Sequence, residues 1–193
     1  MFPQSVIDRF LPAELRGVYR EYADYLDERL YFTRPQSPIH AKPHELRVLI
    51  FTLLLGEGEN RAPEWQDMLA QAAIFHDTRR INDGIDKGHG ARAAEYYREY
   101  CAGSDLPFYP QTEFMITYHV PSDAVGERAL RELDLSDRER SDYWKLYRIF
   151  KDADALDRFR LGRYGLNPAY LRTPTAHRLV DTAAALYRAT RDF

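Results

Sequence analysis

The stretch Leu69-Ala70-Gln71-Ala72-Ala73-Ile74-Phe75-His76-Asp77 ends an apolar run on an imidazole and a carboxylate. Leu69, Ala72, Ala73 and His76 stand three or four residues apart, so in a helix they share one face. Burying an unpaired ionised group is costly, so proteins pair it, neutralise it or coordinate a metal with it. The dipeptide therefore raises the question of which other polar groups converge on it.

Outward from this stretch, no segment alternates strictly between apolar and polar residues, whereas several carry apolar residues at helical spacing, which predicts an all-α fold. Helices are expected over residues 12–30, from near Pro43 through Leu55, and over 63–78, 89–101, 111–120, 123–133 and 136–161. A last one carries Leu179, Ala183, Leu186 and Tyr187. Pro43 suits a first helical turn, and Gly84, Gly88 and Gly90 mark residues 80–90 as a loop. Two of these helices repeat the anomaly. His44 heads the stripe Val48, Phe51, Leu55, and the stripe Tyr143, Leu146, Tyr147, Phe150 runs on into Ala153 and Asp154.

Composition bounds the answer. With 193 residues, 45% of them hydrophobic, the chain suffices for one domain with a sizeable core, and no repeat or linker divides it. A net charge of -3 argues against holding nucleic acid by bulk electrostatics. Lysine appears only at 42, 87, 145 and 151; the preference for arginine suits bidentate phosphate recognition or reflects composition alone. The single Cys101 forms no internal disulfide, so a reducing compartment is expected. The longest apolar run, residues 48–55, is too short for a membrane span, and MFPQSVIDRF lacks the regions of a secretory signal. A cytoplasmic protein without a membrane partner is the expectation. The sequence carries no signal for oligomeric state.

A lone histidine on an apolar face is more often a hydrogen-bonded core residue than a ligand. Here His44, His76, Asp77 and Asp154 fall on three helices expected to pack together. Such a set of nitrogen and oxygen donors suits manganese, iron, zinc or magnesium.

In this order the residues resemble the HD-domain superfamily of metal-dependent phosphohydrolases, over about residues 39–161. His44-Glu45-Leu46-Arg47-Val48 matches the family's first element, a histidine followed three residues later by Arg-Val; His40, four residues upstream, has counterparts in many members. Ala73-Ile74-Phe75-His76-Asp77-Thr78-Arg79-Arg80 matches the namesake dipeptide, with Arg80 at the usual basic position. Ala153-Asp154-Ala155-Leu156 matches the final element, and both the alignment and the helical face select Asp154 over Asp152. A subset of the superfamily binds two metals through two further histidines in the interval that here holds His89 and His119. The resemblance thus implies the ligand set His44, His76, Asp77, His89, His119 and Asp154, with Asp77 bridging. It also implies a single compact multi-helix bundle over 1–193, with N-terminal and C-terminal helices packed on the motif-bearing core.

The implied cofactor is one or two divalent ions per chain, drawn from Mn, Fe, Ni, Co, Zn and Mg. The implied reaction is hydrolysis of a small phosphomonoester or phosphodiester, nucleotides included, by water whose pKa the metal lowers. Arg80, Asp77 and Asp86 are the catalytic candidates, and Arg80, His40 and Lys151 the candidate substrate contacts. Asp83 and Asp86 orient ligands or assist proton transfer, or serve only the Asn-Asp-Gly turn. Arg158, Arg160, Arg163, Arg172, Arg178, Arg188 and Arg191 form a late basic cluster that lies on the surface or in part lines a phosphate-binding mouth. Tyr164 and Tyr170 are positions where a base can stack. His177 receives no role. Two other readings share the motif: a di-iron oxygenase on the same scaffold, and a non-catalytic regulatory module that retains metal.

Overall fold

The computed structural model describes residues 1–59 and 63–193. Among them are ten α-helices and no strand, as the periodicity predicts. In chain order they are α1 (Gln4–Phe10), α2 (Arg16–Arg29), α3 (Lys42–Gly58), α4 (Pro63–Phe75), α5 (His89–Ala102), α6 (Pro110–Tyr118), α7 (Asp123–Glu132), α8 (Asp137–Leu156), α9 (Pro174–Arg178) and α10 (Val180–Thr190). Short 3-10 turns stand at Ala13–Leu15, Asp157–Leu161 and Pro168–Tyr170.

Helix α3 is the axis of the fold. A helix with one apolar face is the sequence expectation, but Leu46, Val48, Leu49, Ile50, Phe51, Leu53 and Leu55 are all buried, and so are Glu45 and Arg47. The helix is surrounded: α2, α4, α8, α9 and α10 all pack against it. Burying each Leu, Ile or Phe stabilises by about 1.5–3 kcal/mol. One apolar cluster runs through the molecule from Phe2 to Leu186, and a smaller one of Phe114, Leu130, Tyr143 and Tyr147 joins α6 and α7 to α8. None of the described helices is long and apolar enough to cross a membrane.

Helix ends differ from expectation where side chains take over backbone bonding. The helix over 63–78 stops at Phe75, which leaves His76 and Asp77 in the following turn. There His76 Nδ1 donates to Ala73 O at 2.9 Å and Thr78 Oγ1 to Phe75 O at 2.6 Å, satisfying carbonyls that a longer helix would bond itself. Helix α8 begins where Ser136 and Glu139 form a capping box, but it ends at Leu156 rather than 161, passing into a 3-10 turn at Asp157. The first long helix starts only at Arg16, and the last is split into α9 and α10. Helix α1, absent from the expectations, buries Ile7 and packs on α10. Seven residues with one buried position are too few to show a period.

Gly90 decides how closely α5 approaches α6. A Cβ at that position would lie 2.7 Å from Ile116 O and 2.8 Å from Thr117 O. The absent side chain lets His89, at the start of α5, and His119, the residue capping α6, meet.

Candidate metal centre

Five segments far apart in the chain deliver side chains to one buried point. His44 comes from the first turn of α3, His76 and Asp77 from the turn after α4, His89 from the start of α5, His119 from the residue capping α6, and Asp154 from the last turn of α8. His44 Nε2 lies 3.2 Å from His76 Nε2, 3.5 Å from Asp154 Oδ1 and 3.7 Å from Asp77 Oδ2. His89 Nε2 lies 2.8 Å from His119 Nε2 and 2.9 Å from Asp77 Oδ1, and His119 Nε2 lies 3.6 Å from the same oxygen. His40, expected to contact substrate, places Nδ1 2.7 Å from Asp77 Oδ2. Three groups bring donor atoms within 4.8 Å of one another, as metal ligands must be: His40, His44 and Asp77; His44, His76 and Asp154; His76, Asp77 and His119.

The far nitrogens of the rings explain this convergence. Nδ1 of His44 donates to Asp157 Oδ2 at 2.7 Å, that of His89 to Asp86 O at 2.6 Å, and that of His119 to Ile116 O at 2.7 Å. His76 Nδ1 bonds Ala73 O and also stands 2.8 Å from Glu45 Oε2. Each ring is thus anchored through Nδ1 and presents Nε2 inward, the arrangement that orients imidazole ligands on a cation. Asp77 Oδ2 faces His40 and His44 while Oδ1 faces His89 and His119, and the buried Oδ1 accepts no hydrogen bond of good geometry. An idle carboxylate oxygen among inward-turned imidazole nitrogens fits a divalent cation.

Electrostatics favour neutral rings at His44 and His119. Burial, reinforced by the nearby Arg160 charge, holds His44 well below the usual histidine range, and burial brings His119 to about 4, so both rings are neutral near pH 7. Burial also works against charge on His76, yet Glu45 and then Asp77 raise it to about 10. Burial opposes ionisation of Asp77 and Asp154 as well. At Asp77 the His76 charge and the contacts from His119, His40 and His89 together outweigh it, and at Asp154 Arg160, His44, His76 and His119 do so together, leaving both carboxyls well below their ordinary value.

The centre opens into a cavity of about 650 Å³, lined by His40, Asp77, His89, His119 and Asp154 and by the cations Arg80, Lys151, Arg158, Arg160 and Arg172. Arg80 lies 3.5 Å from Asp77 Oδ1 and 3.2 Å from both ring nitrogens of His89, while its Nη2 donates to Gly84 O. Lys151 lines the cavity with its Nζ donating to Pro121 O at 2.6 Å. The Asp86 carboxylate, expected to act in catalysis, is not among the residues lining the cavity. It accepts from Ile81 N and Arg92 Nη2, and the residue reaches the centre only through the carbonyl that holds His89. Asp83 ties two loops together by accepting from Ser37 and Arg34. Asp152 accepts from Arg172 N, Thr173 N and Thr173 Oγ1, whereas Asp154 enters the cluster. Of the late tyrosines Tyr170 reaches the rim, and His177 is exposed.

Three residues behind the ligands had no role in the sequence reading. Glu45 and Asp157 are buried against His76 and His44, and Arg47 grips Asp157 at 2.5 and 3.1 Å. The only signal for Asp157 is its place three residues after Asp154.

Comparison with models of protein families, with curated proteins and with solved structures finds no match for this chain. What stands is a helical fold whose buried histidine and aspartate cluster is able to bind a metal ion.

Proposed function

We propose that the protein is a metal-dependent phosphohydrolase of the HD-domain kind, acting on a small phosphate ester. The observation that carries this reading is the opening of the donor cluster into a cavity edged by arginine and lysine, which suits an anionic substrate delivered to a cation. His44, His76 and Asp154 would hold one ion and His89 and His119 a second, with one oxygen of Asp77 toward each. A bound divalent cation supplies Lewis acidity, polarising phosphoryl oxygens and lowering the pKa of coordinated water. The chain's own part is to hold that chemistry in place. Asp157 and Glu45 fix the rings of His44 and His76, His40 holds one oxygen of Asp77, and the cavity cations offset phosphate charge. No side-chain nucleophile is needed, and Cys101 does not line the cavity.

The test is release of phosphate or alcohol from a panel of phosphomonoesters and phosphodiesters with Mn, Ni, Co, Zn, Mg or Fe added. Asp77→Ala should lower kcat by about three powers of ten, the several kcal/mol that a Lewis acid contributes. Inertness with every metal, or full activity in Asp77→Ala, would end this reading. The same donors also suit a di-iron oxygenase. Its mark is two irons per chain and a requirement for dioxygen, and hydrolysis under anaerobic conditions excludes it. A metal kept only for stability fits poorly with a centre open to a large cavity.

A further inference from the structure

Of the five cations lining the cavity, three are committed elsewhere. Arg172 makes paired bonds to Asp123 at 2.7 and 2.8 Å and a third to Asp152 at 3.2 Å. Lys151 donates to Pro121 O, and Arg80 to Gly84 O at 2.9 Å and Asn82 O at 3.4 Å. Arg158 stands exposed at the rim with Nε on Gly165 O. Arg160 is unlike these.

Its side chain is only 6% exposed and is fixed by Nε donating to Ile39 O at 2.9 Å, while Nη1 has no hydrogen-bond partner. The nearest carboxylate oxygens are Asp154 Oδ1, 3.7 Å from Nη2, and Asp157 Oδ2, 3.9 Å from Nη1. Asp157 already accepts from Arg47 and His44, and Asp154 belongs to the donor cluster. A buried guanidinium that stands in ion-pair range of two carboxylates but hydrogen-bonds neither leaves N–H capacity unused, which an arriving oxyanion would take up.

Resting on the hydrolase reading, we propose that Arg160, rather than Arg80, is the receptor for the phosphoryl oxygens of the substrate. It forms an oxyanion subsite beside Asp154. The sequence motif points to Arg80 because of its position after the dipeptide, but Arg80 gives Nε and Nη2 to loop carbonyls and turns Nη1 to His89 and Asp77. Arg160 follows Asp154 by six residues, and the 3-10 turn Asp157–Leu161 folds it back over the centre. A planar fork of this kind recognises phosphate by paired, charge-assisted hydrogen bonds.

The experiment is calorimetric titration of inorganic phosphate into the Mn²⁺-loaded protein, with Mn²⁺ content measured alongside. Arg160→Gln should bind phosphate roughly tenfold more weakly or worse, and Arg160→Lys should recover part of the loss. Arg131→Gln, which removes an exposed charge paired with Glu127, should change nothing. Mn²⁺ content should be the same in all. Phosphate affinity in Arg160→Gln within about twofold of the parent overturns the proposal and leaves the hydrolase reading standing. Absence of phosphate binding by the parent protein overturns both. Loss of Mn²⁺ from Arg160→Gln also overturns the proposal, since the residue then acts on the donor cluster and not on the anion. Should Arg160→Gln not fold, Arg160→Lys decides, because affinity equal to the parent shows that fork geometry plays no part.

Discussion

Behind His76 stands a carboxylate that solvent does not reach. Glu45 is wholly buried, and burial pushes its carboxyl up to about 7 even though His76 pulls the other way. The His76 ring hydrogen-bonds Ala73 O, and Glu45 Oε2 stands 2.8 Å from the same nitrogen as its charge partner. Glu45→Gln keeps the shape and removes the charge; it should weaken Mn²⁺ binding by about 10–100-fold while the helical circular dichroism spectrum stays unchanged. Unaltered affinity in a titration would mean that Ala73 O alone sets the ring. The six donors were legible because four of them interrupt apolar stripes, which free energy does not allow without a reason, and because His89 and His119 fall in the interval the resemblance marks. Glu45 was not legible. It lies one position beyond His44, about a quarter-turn round the helix, on a face that reads as solvent-exposed until α3 is seen to be covered on every side. Arg160 was hidden for a different reason, since only the path of the chain after α8 shows where it points.

At the level of elements, the centre depends on two helix ends meeting. The first turn of α5 passes the end of α6 with backbone carbonyls where a side chain at residue 90 would be. Gly90→Ala forces the helices apart, so it should destabilise by about 1–3 kcal/mol in a denaturant melt and also weaken metal binding, because His89 and His119 separate. A loss of stability with metal affinity intact would show that the two rings are held independently of this contact. Helical periodicity made most elements readable, and a capping box marks the start of α8. The ends were less readable. His76 and Thr78 halt α4 by bonding its last carbonyls, an effect of side-chain position that periodicity does not carry. The same ending frees the dipeptide from helical geometry and lets both oxygens of Asp77 face inward to different histidines.

Over the whole molecule, the donors span residues 44 to 154 and derive from five separate segments, so the full set exists only in the folded chain. A metal held by this cluster would therefore be linked to folding. At a free Mn²⁺ concentration about a hundred times Kd, the folded state gains about 2.7 kcal/mol, which for a chain of this size raises Tm by roughly 5–10 °C. Addition of EDTA should reverse the shift, and Asp77→Ala should abolish it. A Tm unaffected by any of the six metals would show that the cluster is only a network of hydrogen bonds.

Asp152 and Asp154 sit two residues apart on α8 and look in different directions, one clamping Arg172 and Thr173, the other joining the donor cluster. Residues 162–171 are consequently suspended between two fixed posts: the 3-10 turn that carries Arg160, and the backbone held by Asp152. Leu166, Asn167 and Tyr170 in that span form part of the cavity wall. Asn167 and Tyr170 stand exposed between these posts, whereas Leu166 and Leu171 are packed into the core. Such a chassis would let evolution, or a designer, exchange the exposed wall residues while the donor cluster beneath them stays the same.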